Sequence, residues 1–152
     1  MDRVAVVGSR EGADLELVES FLQWLHEKHP DAIVVSGGAK GVDKTAETLW
    51  ASMGHEVWSF RVLKLGDESF IAEKWVFGGA EPHVERLGIG QGHPVARDYY
   101  SALLYRNALI AEACTRLVAF FRPGGSTGTA ITEGFASYGY GKDVDRVGWN
   151  AG

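Results

Sequence analysis

A single cysteine, Cys114, stands in a chain of 152 residues. That excludes a disulfide framework and a thiolate metal cage. Placed between Ala113 and Thr115, ahead of an apolar run, it reads as a small core residue. The five histidines, His26, His29, His55, His83 and His93, have no metal-ligand spacing and no His-Glu-x-x-His pattern. No metal site is expected. No apolar run reaches the ~18 residues that a transmembrane helix needs, and the first residues form a strand pattern without signal-peptide features. A cytoplasmic protein with no membrane partner is the expectation. Positive charge is scarce as well, with 15 Lys and Arg against 20 Asp and Glu and a net charge of −5. A general nucleic-acid binder presents a basic face to phosphates, so nucleic acid is not an expected partner. Two phosphate signatures are also missing: Gly-x-x-x-x-Gly-Lys-[Ser/Thr], and Gly-x-Gly-x-x-Gly after the first strand. Their absence removes Walker-type NTPase and ordinary NAD(P) dehydrogenase chemistry.

Glycine, in contrast, is abundant, at 20 residues where about 7% of a chain is usual. The glycines cluster where apolar runs stop. Arg3–Val7 is a β-branched run ending at Gly8-Ser9, and Ala32–Ser36 is another ending at Gly37-Gly38. His55–Phe60 and Arg116–Phe121 are two more. Continuously apolar strands suit a sheet covered on both faces. Between them, 14–29, 42–53, 98–114 and 128–140 carry apolar residues at helical spacing, with Pro30 and Gly54 as stops. Alternating strands and helices predict an α/β fold, a Rossmann-like three-layer sandwich with a mostly parallel sheet. A single domain over 1–142 is expected, with 143–152 an edge strand or tail. Residues 64–97 interrupt the rhythm with Gly66, Gly78, Gly79, Gly88, Gly90 and Gly92. They read as a glycine-rich insertion or lid with a short helix around Glu68–Val76. Trp24, Trp50 and Trp58 fit core positions. Trp75 and Phe77, inside the insertion, are candidates to stack on a base.

In an open parallel sheet, ligands collect at the carboxyl ends of strands. Three such ends carry the chemistry: Gly8-Ser9-Arg10, then Ser36-Gly37-Gly38-Ala39-Lys40-Gly41, then Gly124-Gly125-Ser126-Thr127-Gly128-Thr129. The last two lead into helices, whose first N–H groups form an anion site. Glycine lets the backbone approach an anion closely, and the hydroxyls of Ser126, Thr127 and Thr129 add donors without negative charge. A phosphate cradle is expected, with Arg10 and Lys40 as counter-ions. Asp43 reads first as a cap for the helix it begins, or else as an acceptor for a ribose hydroxyl or an orienter of Lys40. Arg106, with Asn107, lies beside Leu103, Leu104, Leu109 and Ile110, close to a buried face. Glu133, one turn into the last helix, either faces the ligand or favours the helix dipole.

In these residues the sequence resembles the SLOG superfamily. The likeness is carried by Val6-Val7-Gly8-Ser9-Arg10, by Val35–Asp43 with Ala46, by Arg106-Asn107 and by Gly124–Thr129. Within the superfamily it is most similar to the YspA/YpsA-like branch. The resemblance implies a nucleotide-type pocket, serving as a sensor or ligand-binding module for a small nucleotide-like molecule, and a homodimer. The related LOG phosphoribohydrolases imply an alternative: hydrolysis of the N-glycosidic bond of a nucleoside monophosphate, with Arg106 and Glu133 as catalytic residues. Here the turn has one extra residue before Gly128, and Glu133 falls four residues after Thr129, with Thr132 in the place where the enzymes carry their glutamate. A third reading is an interaction scaffold without a ligand. The related DNA-processing protein DprA implies single-stranded DNA binding, which asks for a basic groove that this acidic composition does not supply.

Overall fold

The apolar runs have a two-sided job that their alternation reveals. In the first strand, Val4 and Val6 are buried with Val18, Leu22 and Leu25 of one helix and Val42, Ala46 and Trp50 of another. Ala5 and Val7 point the other way, into a second cluster with Ile110, Ala111, Cys114 and Ala136. Each strand therefore serves two helical layers, which is why it reads as apolar throughout.

The computed structural model describes residues 2–66, 69–87, 98–122 and 127–147, apart from the side chains of 127, 128, 131, 133, 135 and 138. The elements are β1 (Arg3–Gly8), α1 (Leu15–Lys28), β2 (Ile33–Ser36), α2 (Val42–Ser52), β3 (Val57–Gly66), β4 (Ser69–Phe77), β5 (His83–Leu87), α3 (Tyr99–Ala113), β6 (Arg116–Phe120), α4 (Thr127–Gly134) and β7 (Asp143–Val147). A π-helical turn, Phe135–Gly139, continues α4. The described strands form one sheet in the order β5-β4-β3-β2-β1-β6-β7. β3, β2, β1, β6 and β7 run parallel. The three-layer, mostly parallel architecture is the one the sequence predicts. Among the described residues, no helix is long and apolar enough to cross a membrane.

Residues 57–87 correct one expectation. Instead of a short helix around Glu68–Val76, Ser69–Phe77 is a strand paired antiparallel with β3, from Val57↔Phe77 to Lys64↔Phe70. β5 pairs antiparallel with β4 in turn, so this stretch widens the sheet. Phe70, Ile71, Trp75, Val76 and Phe77 are strand formers, and buried Glu73 is accommodated because its carboxylate accepts from Trp75 Nε1 at 3.1 Å and lies 3.7 Å from Arg86 Nε. The rest of the expected insertion, 88–97, lies outside the described residues. Trp24 also departs from expectation: it is 48% exposed on α1, whereas Trp50 is fully buried and donates to the Ala32 carbonyl.

The chain winds from β1 through α1 to β2 in one direction and from β6 through α4 to β7 in the other. The direction of winding therefore reverses between β1 and β6, whose carboxyl ends lie side by side at Gly8↔Phe120. Such a reversal leaves a crevice beyond the strand ends. Its near wall depends on Gly41, which has φ +87° and whose Cβ would lie 2.4 Å from the Arg10 carbonyl oxygen and 2.6 Å from that of Ser9. Gly54, also left-handed at φ +84°, has open space around it. Gly54→Ala should therefore cost only the left-handed backbone penalty, about 1 kcal/mol. Gly41→Ala adds an overlap with backbone and should cost about 3 kcal/mol or more. Urea unfolding of both variants measures the difference; equal losses would refute the close approach.

Candidate functional site

The crevice at the β1/β6 reversal is a cavity of about 620 Å³. β1 and the turn after it contribute Gly8, Ser9, Arg10 and Glu11, the β2–α2 turn contributes Lys40, and the start of α2 contributes Asp43. From α3 come Tyr100, Leu103, Leu104, Arg106, Asn107 and Ile110, and from α4 Thr129 and Thr132. The α3 residues at 100, 103, 104 and 107 share one helical face by their spacing. One wall is thus apolar, while cations stand at the strand ends.

The organising group is Asp43, and its role corrects the sequence reading. Its side chain does not cap α2, whose N-cap is Gly41 with no side-chain bond. Its two oxygens instead accept the N–H of Gly8 at 3.2 Å and the N–H of Gly37 at 3.0 Å. It is 6% exposed. Burial pushes its pKa up to about 7, aided by the nearby Glu47 charge and opposed by Arg106 and the two backbone donors. A carboxyl poised near neutrality in a cleft has the profile of a functional group.

Arg106 reaches across from α3. Its Nη1 donates to the Gly37 carbonyl at 2.7 Å and its Nε to Asn107 Oδ1 at 3.0 Å. Burial lowers its pKa, and the Asp43 carboxyl pulls the other way. The contact needs a glycine at 37, because a Cβ there would meet Nη1 at 2.7 Å and Asp43 Oδ2 at 3.0 Å. Gly37 therefore has its N–H on Asp43 and its C=O on Arg106. The strand-end N–H groups of Gly8 and Gly37, expected to meet a phosphate, are already bonded to a carboxylate.

The other candidates divide cleanly. Arg10 and Lys40 are exposed at the mouth, where Lys40 Nζ pairs with Glu11 Oε1 at 2.7 Å. Ser9 is buried, and its Oγ accepts the N–H of Arg122 at 3.0 Å. Asn107 and Thr129 are buried and line the cavity. Ser36 does not: its Oγ donates to the buried Glu47 carboxylate, which also accepts from Ser59 Oγ at 2.8 Å and Arg61 Nη2 at 3.1 Å. Gly38 packs against Arg61, and Gly41 against the Ser9–Arg10 backbone. Gly124, Gly125 and Ser126 lie outside the described residues, as do the side chains of Thr127 and Glu133 on α4. Trp75 and Phe77, the expected base-stacking pair, line a separate groove with Arg61, whose guanidinium lies 4.2 Å from the Trp75 ring centroid. Glu11, Tyr100 and Thr132 were not anticipated; the helical spacing of Tyr100 with Leu103, Leu104 and Asn107 was the available signal. Among the described residues, no group of three or more His, Cys, Asp or Glu side chains is placed to hold a metal ion.

Residues 2–60 match the family model YAcAr, the YspA, cpYpsA-related SLOG family. No curated protein matches the chain. Among solved structures, the X-ray structure of DNA processing protein A (DprA) from Streptococcus pneumoniae is similar, with a TM-score of 0.66 and 22% identity. The alignment covers 96% of this chain and 50% of that one, so the chain spans half the length of its neighbour. At that identity the likeness carries the fold alone.

The raised pKa of Asp43 has a sign that can be measured. The folded state holds this proton more tightly than the unfolded chain, so the stability it contributes is full below the ordinary aspartate range and is lost as pH rises toward about 7. Asp43→Asn keeps one acceptor and loses the other, and should be less stable than wild type at pH 5. The gap should narrow by pH 8, by on the order of 2 kcal/mol, because only the wild type loses stability by ionising there. Denaturant melts at the two pH values test this; a gap that does not change with pH would show that Asp43 titrates normally.

Proposed function

We propose that this chain, whose residues 2–60 match a SLOG family model, binds a nucleotide or nucleotide-derived small molecule in the cavity at the β1/β6 reversal. The observation that carries the reading is the buried Asp43 and half-buried Arg106 on the cavity floor, with the exposed cations Arg10 and Lys40 at its mouth. A volume of about 620 Å³ falls within the ~300–1,000 Å³ range of small-molecule sites. The apolar face of α3 offers a surface for a base, and the polar groups opposite it suit a phosphorylated sugar. The acidic net charge leaves this local set of donors, rather than a broad basic surface, to recognise the anion.

A second reading rests on the pKa of Asp43. A carboxyl near neutrality beside a guanidinium is equipped to manage charge around an oxocarbenium-like sugar, the requirement for cleaving an N-glycosidic bond. In that reading Arg106 acts with a carboxyl, whether that of Asp43 or of Glu133.

Thermal shift against AMP, GMP, CMP, UMP, ADP-ribose and NAD tests both, with the same mixtures assayed for released base. Stabilisation by at least one compound, lost in Arg106→Ala, is the expected result. Base release that disappears in Arg106→Ala would make the protein a hydrolase. No stabilisation by any of the six would refute nucleotide binding.

A further inference from the structure

The cavity supplies its own anions, and they differ in how firmly they are held. Asp43 is buried on the floor, with an N–H donor on each oxygen. Glu11 is exposed at the mouth and paired with the equally exposed Lys40. We infer that the ligand lies with its phosphate outward at Arg10 and Lys40, taking the place of Glu11, and its sugar hydroxyls inward on the Asp43 carboxylate. The inference rests on the nucleotide reading above and adds the orientation.

Three observations converge on this polarity. The floor offers a phosphate little: the Gly8 and Gly37 N–H groups are occupied, and the Asp43 carboxylate balances the Arg106 guanidinium, leaving no net positive charge there. Arg106 turns its Nη1 to the Gly37 carbonyl and its Nε to Asn107. A hydroxyl meets the opposite reception. Each oxygen of Asp43 accepts one backbone N–H and keeps a further lone-pair site, so the carboxylate accepts a hydroxyl donor without giving up either bond. At the mouth, the Arg10 guanidinium has no hydrogen bond or ion pair among the described residues. The Lys40–Glu11 pair is solvent-exposed, with side chains 66% and 71% accessible, and such pairs are weak and readily exchanged. The Leu103 and Leu104 wall then receives the base.

The test uses the most strongly stabilising of AMP, GMP, CMP and UMP, together with its nucleoside and its 2′,3′-dideoxy monophosphate, by titration calorimetry. In wild type, the monophosphate should bind about tenfold or more tightly than either comparison compound. Arg10→Ala/Lys40→Ala should abolish the preference for monophosphate over nucleoside and leave the preference for ribose over dideoxyribose. Asp43→Asn should do the reverse. Glu11→Gln should tighten the monophosphate about two- to fivefold and leave the nucleoside unchanged. Because Asp43→Asn can weaken the fold, wild type supplies an independent measure. An exposed phosphate site is screened by salt, so the monophosphate preference should fall severalfold between 50 and 500 mM NaCl, while the ribose preference holds. Loss of the phosphate preference in Asp43→Asn but not in the double variant, or a salt-insensitive phosphate preference, overturns the orientation while nucleotide binding stands. A wild type that binds none of the four overturns the orientation, and one that also binds neither ADP-ribose nor NAD overturns the nucleotide reading itself.

Discussion

The carboxylate of Asp43 lies at the meeting point of three elements. Through the N–H groups of Gly8 and Gly37 it ties the ends of β1 and β2 to the start of α2. The carbonyl of the same glycine, Gly37, then fixes Arg106 and with it the cavity face of α3. Both layers of helices thus refer their position to one buried carboxyl group. Burying a carboxylate is costly unless its oxygens are satisfied, and here the satisfying donors are strand-end amides that would otherwise lack partners. The cavity is the space left when these mutual needs are met.

Much of the fold was legible because its signals are local. β1, β2 and β6 are apolar on both faces, and α1 and α2 show clear helical spacing with stops at Pro30 and Gly54. β4 was not legible. Its Glu73 and half-buried Lys74 interrupt the apolar pattern, and they are accommodated in part by partners on neighbouring strands: Arg86 beside Glu73, and the Trp58 ring under the Lys74 ammonium at 3.6 Å. Single-residue patterns carry no trace of such pairings.

The site shows the same division. Gly8-Ser9-Arg10, Lys40, Asp43, Arg106, Asn107 and Thr129 were picked out by type and by position at strand ends, and the fold brings them to one cavity. What each one does was less legible. Asp43 sits where a capping residue belongs, and only the approach of β1, 35 residues earlier in the chain, gives it different work. The glycines were read as space for a ligand, whereas those at 37, 38 and 41 make space for Arg106, Arg61 and the Ser9–Arg10 backbone. Glycine content signals a close approach but does not name what approaches.

The contact between Arg106 and Gly37 spans 69 residues, and this separation bears on how the protein is made. A ribosome delivers the chain from its amino terminus at about 5–20 residues per second. β1, β2 and α2, with Asp43 among them, emerge several seconds before the helix that completes their floor. Until α3 arrives, the cluster of Ala5, Val7, Ile33 and Val35 has no helical cover, and the carboxyl of Asp43 faces water. The cavity is therefore a late product of synthesis, closed by the same arginine that gives it chemical character.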